Sequence, residues 1–437
     1  MNEVMIIGGG LAGCEAAWQL ARRGCGVKLF DMKPHKFSPA HESEQLGELV
    51  CSNSLRSADP HSAVGLLKEE MRSLDSLIIK SADQTAVPAG RALAVDRELF
   101  ARTITATLAN HRLVTVVREE ITALPENKNG FTILATGPLT SEPLAQSLAE
   151  FTGMSRLYFY DAIAPILHTE SLDLEIIYQK SRYDDGPGDY LNCPLDEADY
   201  LHFINSLNTA RCMPLRNFEE VKYFEGCLPI EVMSSRGVDT LRYGPMKPVG
   251  LENPRTGELP HAVVQLRKEN RQGTLYNMVG FQTKLTHGEQ LRIFRRLPGL
   301  EKAEFARFGS IHRNTFICAP EVLLPTLQSK KNPALLVAGQ LSGVEGYVES
   351  AAMGLLAGIN AARLGHSQEP LSPPPHTALG ALCAHLTDSD PSHFQPSNVN
   401  FGLFPAWEKK VAKRHRGQIR AQRSRAALRE WVEAHRV

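Results

Sequence analysis

Four apolar residues in a row, Val4–Ile7, are followed at once by GGGLAGCEAAWQLARRG. A short apolar run closed by glycines predicts a buried strand, and the alanine- and leucine-rich segment after them predicts a helix. VKLFDM predicts the next strand, which makes a β-α-β unit of about thirty residues. GFTILATGPLT, residues 130–140, predicts another strand ending in a glycine turn. Residues 189–309 are richer in Pro and Tyr, with isolated strands such as HAVVQL. NPALLVAGQLSGVEGYVESAAMGLLAGINAARLG then restores a strand, a glycine loop and a long helix of small residues. SQEPLSPPPHTALGAL cannot be helical throughout, because proline removes a backbone donor and clashes with the preceding turn. Residues 407–435 predict a long helix, and no internal repeat is visible.

Composition narrows the class. In a chain of 437 residues, 43% hydrophobic and 22% charged residues suit a soluble protein with more than one core. No apolar run approaches the roughly 20 residues of a membrane span, and the first residues lack the basic-then-apolar layout of a leader. Eight cysteines without CxxC or metal-ligand spacing suit free thiols in a reducing cytoplasm, with no metal. Net charge is zero, yet residues 409–429 carry many Lys and Arg and no acid. Lys409, Lys410, Lys413, Arg414, Arg416 and Arg420 are candidates to neutralise RNA phosphates; a solvated amphipathic helix would carry the same pattern.

Gly8, Gly10 and Gly13 form GxGxxG between the first strand and helix. The first serves the tight turn, the second the approach of a pyrophosphate and the third close helix–strand packing. The helix N-terminus adds positive partial charge, so Gly8, Gly9, Gly10, Leu11, Ala12 and Gly13 are candidate dinucleotide contacts. Asp31, ending the second strand, is placed for a ribose hydroxyl. ILATG, with Gly137, and LLVAGQLSGVEGYVESAAMG, with Gly339, Gln340, Gly346, Tyr347 and Ser350, resemble the later signatures of glutathione-reductase-type flavoproteins. That resemblance favours FAD. No second GxGxxG supplies a nicotinamide domain, so any NADH or NADPH must dock transiently at the flavin. The expected fold is α/β: a Rossmann-like FAD-binding domain with an inserted smaller mixed α/β domain. Its segments are 1–188 (FAD domain, first part), 189–309 (insertion) and 310–437 (FAD domain, second part, with a basic C-terminal helix).

Among the thiols, Cys51 stands in ELVCSNSLRS among small polar residues, and Cys227 in YFEGCLPIEVM, in a constrained turn. Local sequence alone favours an inert packing thiol at each over one held out for chemistry.

GGGLAGCEAAWQLARRG, LVCSNSLRS, FEGCLPIEVM, GPMKPVGL, LYNMVGFQTKL, HRNTFI, AGQLSGVEGYVESAAMG, GALCAHLT and NVNFGLFP together resemble the folate- and FAD-dependent tRNA (uracil-5-)-methyltransferases, relatives of the GidA flavoproteins. The resemblance covers nearly the whole chain. It implies transfer of a methylene from methylenetetrahydrofolate to C5 of the T-loop uridine of tRNA. Reduced FAD is then the reductant, and NADH or NADPH regenerates it. It assigns Cys227 to attack on the uracil and Cys51 to a second role near the flavin. It also makes His312, Arg313, Asn314 and Tyr347 candidates for the folate, although His312 taken alone reads as a structural histidine. One departure is His287, where the family is expected to carry tryptophan. Three other readings share parts of this pattern: the same chemistry on ribosomal RNA, a GidA-like wobble-uridine enzyme, and a small-molecule flavin oxidoreductase. A fourth is an RNA-binding module that keeps FAD as a support. GidA chains are longer, which weighs against the wobble enzyme. Oligomeric state stays open.

Overall fold

Val4–Ile7 lies at the centre of a parallel five-stranded sheet, in the order Leu335–Val337, Thr132–Leu134, Val4–Ile7, Val27–Asp31, Val114–Arg118. The structure, a computed structural model, describes residues 3–125, 130–153, 157–182, 188–214, 228–407 and 411–437. Leu11–Arg22 is the first helix, and it packs against the late helix Tyr347–Gly365 through small residues. A Cβ at Gly354 would lie 2.2 Å from the Ala12 carbonyl oxygen, and one at Gly358 2.7 Å from that of Ala16. Only glycine permits this approach, so early and late parts of the chain close one core.

The chain leaves this sheet through Leu157–Ile163 and returns through Ser310–Phe316, two strands that pair antiparallel. Between them lies an antiparallel six-stranded sheet, in the order Tyr178–Gln179, Tyr190–Leu195, Ala262–Lys268, Leu275–Met278, Ile166–His168, Phe305–Arg307. It draws two strands from before residue 189, each too short to register as an alternating pattern. Glu197–Asn208 and His287–Phe294 supply helices, and Tyr200, Phe203, Phe281 and Phe294 sit in a second apolar core.

The C-terminal helix runs Arg416–His435, shorter than the 407–435 expected, after a single 3₁₀ turn at Lys413–His415. Cations at a helix N-terminus oppose the positive end of its dipole, so a basic run is poorly placed to extend it backwards. Two contacts pin the helix to Ala63–Ser73: Ser424 Oγ donates to Glu70 at 2.6 Å, and Arg425 pairs with Glu69 at 2.8 Å. No described helix is long and apolar enough to cross a membrane.

Candidate functional site

A cleft opens beside the glycine loop. It sits at the carboxyl ends of Val4–Ile7 and Thr132–Leu134, where strand order reverses about the central strand. Open α/β sheets take ligands at such a switch point. Gly8, with φ +111°, faces the Ala135 carbonyl oxygen, which an added Cβ would meet at 2.4 Å. At Gly13 a Cβ would lie 1.8 Å from the Gly8 oxygen, the close packing required of the third glycine. Gly10 and Gly137 have nothing within 4 Å of a Cβ, and both line the cleft. That is the open backbone cradle a pyrophosphate needs. Asp31 is buried, its Oδ1 accepting from the Lys33 N–H at 2.8 Å.

Gly8, Gly9, Gly10, Leu11, Ala12, Asp31, Gly137, Gly339, Gln340, Tyr347 and Ser350 all line the cleft. Gly13 lies behind the loop, and Gly346 faces Glu349 and Asn398 instead. Among the described residues no cluster of His, Cys, Asp or Glu could hold a metal ion.

Cys51 is half-buried and is not itself in the lining, but it stands next to Val50, which is. The Tyr347 hydroxyl accepts from the Cys51 N–H at 2.7 Å and the Ser52 N–H at 3.2 Å, while Cys51 Sγ lies 3.7 Å from the Ala162 oxygen. Burial, then the negative charge available at Cys51, pushes the Tyr347 hydroxyl up, so it stays a phenol that accepts these bonds. Three arginines grip the segment from outside. Arg97 donates to the Leu49 oxygen at 2.5 Å and Arg307 to the Val50 oxygen at 2.8 Å. Arg267 donates to Ser52 Oγ at 2.8 Å and to Asn53 Oδ1 at 2.9 Å. The small polar residues around Cys51 therefore serve as hydrogen-bond handles. Burial pushes up the other thiols with described surroundings, Cys14, Cys25, Cys193, Cys212, Cys318 and Cys383, the last to about 12.

Two histidines near this wall are held neutral. Burial, then Lys33, pushes His41 down to about 4; burial, then Arg307, does the same for His312. His41 lines the cleft, whereas His312 and Asn314 stand on Ser310–Phe316, outside its lining. His312 Nε2 lies 2.9 Å from Ser310 Oγ, and Asn314 Nδ2 donates to Asp161 Oδ2 at 3.5 Å. Glu345 accepts from Gln340 Nε2 at 2.6 Å; burial, then Asp161, holds its carboxyl well above the usual carboxylate range. His287 stacks on Phe308 at 4.5 Å between ring centroids.

Cys227, Lys409 and Lys410 lie outside the described residues, as do the side chains of Arg313 and Lys413. Arg414 and Arg416 are exposed. Arg420 differs from them. It is buried, with its guanidinium 4.4 Å from the Trp407 ring centroid and 5.2 Å from that of Phe404, so it anchors the helix to the segment before it. Sequence reasoning missed Lys33, His41, Arg97, Arg267, Arg307 and Glu345. The arginines act through partners remote in sequence, and only the buried-strand context of Arg267 in HAVVQLRK hinted at a role.

The family model described as "Glucose inhibited division protein A" matches residues 3–369. A methylenetetrahydrofolate--tRNA-(uracil-5-)-methyltransferase TrmFO of Desulfotalea psychrophila is 67% identical over 100% of this chain and 98% of its own. The TrmFO of Geobacter sulfurreducens is 58% identical over 99% of both chains. Among solved structures, Aquifex aeolicus GidA in its form I crystal superposes with a TM-score of 0.70 at 18% identity, over 98% of this chain and 76% of that one.

Proposed function

The chain belongs to the TrmFO family of methylenetetrahydrofolate–tRNA-(uracil-5-)-methyltransferases, and on that premise we propose that it methylates C5 of the T-loop uridine of tRNA. Methylenetetrahydrofolate is the one-carbon donor. The cleft is the FAD site: Gly10 and Gly137 leave the backbone open to phosphate, the N-terminus of Leu11–Arg22 points positive charge at it, and Asp31 takes the ribose. Bound and reduced, the flavin supplies the hydride that turns the transferred methylene into methyl, with NADH or NADPH as its reductant. The unit between Leu157–Ile163 and Ser310–Phe316 is read as the insertion in the flavin-binding fold.

Uracil C5 is a weak nucleophile. Addition of the Cys227 thiolate to C6 moves the ring electrons toward C5, which then attacks the one-carbon electrophile. Loss of the C5 proton to a base lets the folate nitrogen leave from the transferred carbon, and the thiolate is expelled from C6 once that carbon has been reduced to methyl. Cys51 is the thiol on the flavin side, and it serves this proton transfer or holds the one-carbon unit. The buried Glu345, kept toward its neutral form, is a proton carrier near that wall. His312, Arg313, Asn314 and Tyr347 are proposed for the folate, with neutral His312 able to stack or donate. Lys409, Lys410, Lys413, Arg414 and Arg416 are proposed for tRNA phosphates.

The observation that carries this reading is the address of Cys51. It is tied through its own N–H to Tyr347, a residue of the cleft wall, in a chain that matches its relatives from end to end. The test supplies purified protein with FAD, methylenetetrahydrofolate, NADPH or NADH and unmodified tRNA transcript. Formation of 5-methyluridine in the T loop is expected, and its loss on Cys227→Ala. Product on ribosomal RNA alone, or at the wobble position, would replace the assignment.

A further inference from the structure

The end of the strand Ala262–Lys268 makes three side-chain hydrogen bonds to one distant loop. Arg267 reaches Ser52 Oγ and Asn53 Oδ1, the Lys268 carbonyl accepts from Asn53 Nδ2 at 2.8 Å, and Glu269 pairs with Arg97 at 2.9 Å. Arg97 in turn holds the Leu49 oxygen. The last two residues of this strand and Glu269 just after it thus bracket Cys51 from both sides, and Asn53 is fully buried in the junction. A guanidinium with two donors in a fixed plane sets both distance and angle, which a single ammonium does not.

We propose that Arg267 is a positioning residue for Cys51: through Ser52 and Asn53 it fixes the thiol's presentation to the cleft, so the six-stranded sheet sets the geometry of the flavin-side cysteine. The described chain resumes at Leu228 and is anchored at the loop that follows Leu275–Met278. The Ile230 N–H donates to the Gln282 oxygen at 2.7 Å, and Ile230 is buried in the second core. This inference rests on the methyltransferase reading for its kinetic consequence but not for its chemical one.

The test is a double-mutant cycle with Arg267→Gln and Ser52→Ala in the FAD-loaded protein. Three quantities are measured: flavin content, kcat and KM for tRNA, and the rate at which iodoacetamide alkylates Cys51, read by peptide mass spectrometry. Arg267→Gln is expected to keep its flavin and its KM for tRNA, to lose about tenfold or more in kcat, and to alter Cys51 alkylation at least threefold. Ser52→Ala should move both rates the same way and more weakly. The double variant should be no worse than Arg267→Gln alone. Arg267→Lys should fail to rescue. Strictly additive effects, or unchanged alkylation in both single variants, would overturn the proposal. Should Arg267→Gln not fold, Ser52→Ala against wild type decides by alkylation alone. Alkylation reads the geometry even when the wild type methylates no tRNA, which separates failure of this inference from failure of the functional assignment.

Discussion

A methyl group added at Gly10 meets no atom within 4 Å, whereas one added at Gly13 would stand 1.8 Å from the Gly8 carbonyl oxygen. The two substitutions should therefore separate binding from folding. Gly10→Ala is expected to leave the apo-protein's melting temperature within a degree or two while flavin content falls. Gly13→Ala should destabilise the apo-protein by about 1–3 kcal/mol, because backbone must move to admit the Cβ. Melting curves and flavin absorbance on each variant check both. This motif was legible in the sequence because its geometry is local: three glycines act within one turn. Cys51 was only half legible. Its polar neighbours were visible, but their purpose as handles for arginines far along the chain was not, since nothing in CSNS names a partner at position 267.

At the scale of elements, Glu70 on Ala63–Ser73 ties two later helices together. It accepts from the Ala378 and Leu379 N–H groups at 2.7 and 2.9 Å, capping Ala378–Asp388, and from Ser424 of the C-terminal helix. Burial, partly offset by these bonds, raises its carboxyl from the ordinary 4.5 to about 7. The folded state thus holds this proton more tightly than the unfolded one. Its contribution is fully present below pH 4.5 and declines as pH rises to about 7. Glu70→Gln turns one acceptor into a donor facing an N–H, and should cost about 1–3 kcal/mol. The gap from wild type should be widest near pH 5 and narrower at pH 8, as measured by denaturant unfolding at both. The start of the C-terminal helix was misplaced by sequence pattern because Trp407 folds back onto Arg420 instead of continuing the helix. Arg420→Ala is accordingly expected to lower the melting temperature. Arg414→Ala and Arg416→Ala should leave it unchanged and weaken tRNA binding, each reducing the slope of log affinity against log salt by about one.

For the whole molecule, the parallel sheet and its cofactor signatures could be anticipated from pattern, while the size of the second sheet could not. Strands of two and three residues carry no periodicity, and their place follows from pairing partners remote in sequence. Zero net charge likewise conceals a locally basic terminus, so binding to RNA should be strongly salt-dependent even though bulk electrostatics predict no attraction.

The glycine contacts between Leu11–Arg22 and Tyr347–Gly365 bear on how the protein comes into being. Synthesis is vectorial, and the ribosome releases the glycine loop long before the strand Leu335–Val337 and the helix that seal its back. Until then, the first β-α-β unit has an apolar face with no cover. Chains truncated before residue 335 should bind no flavin and be captured by chaperones, whereas chains released after residue 365 should acquire the yellow colour. Absorbance of arrested nascent chains of graded length would date the moment at which the cofactor is taken up.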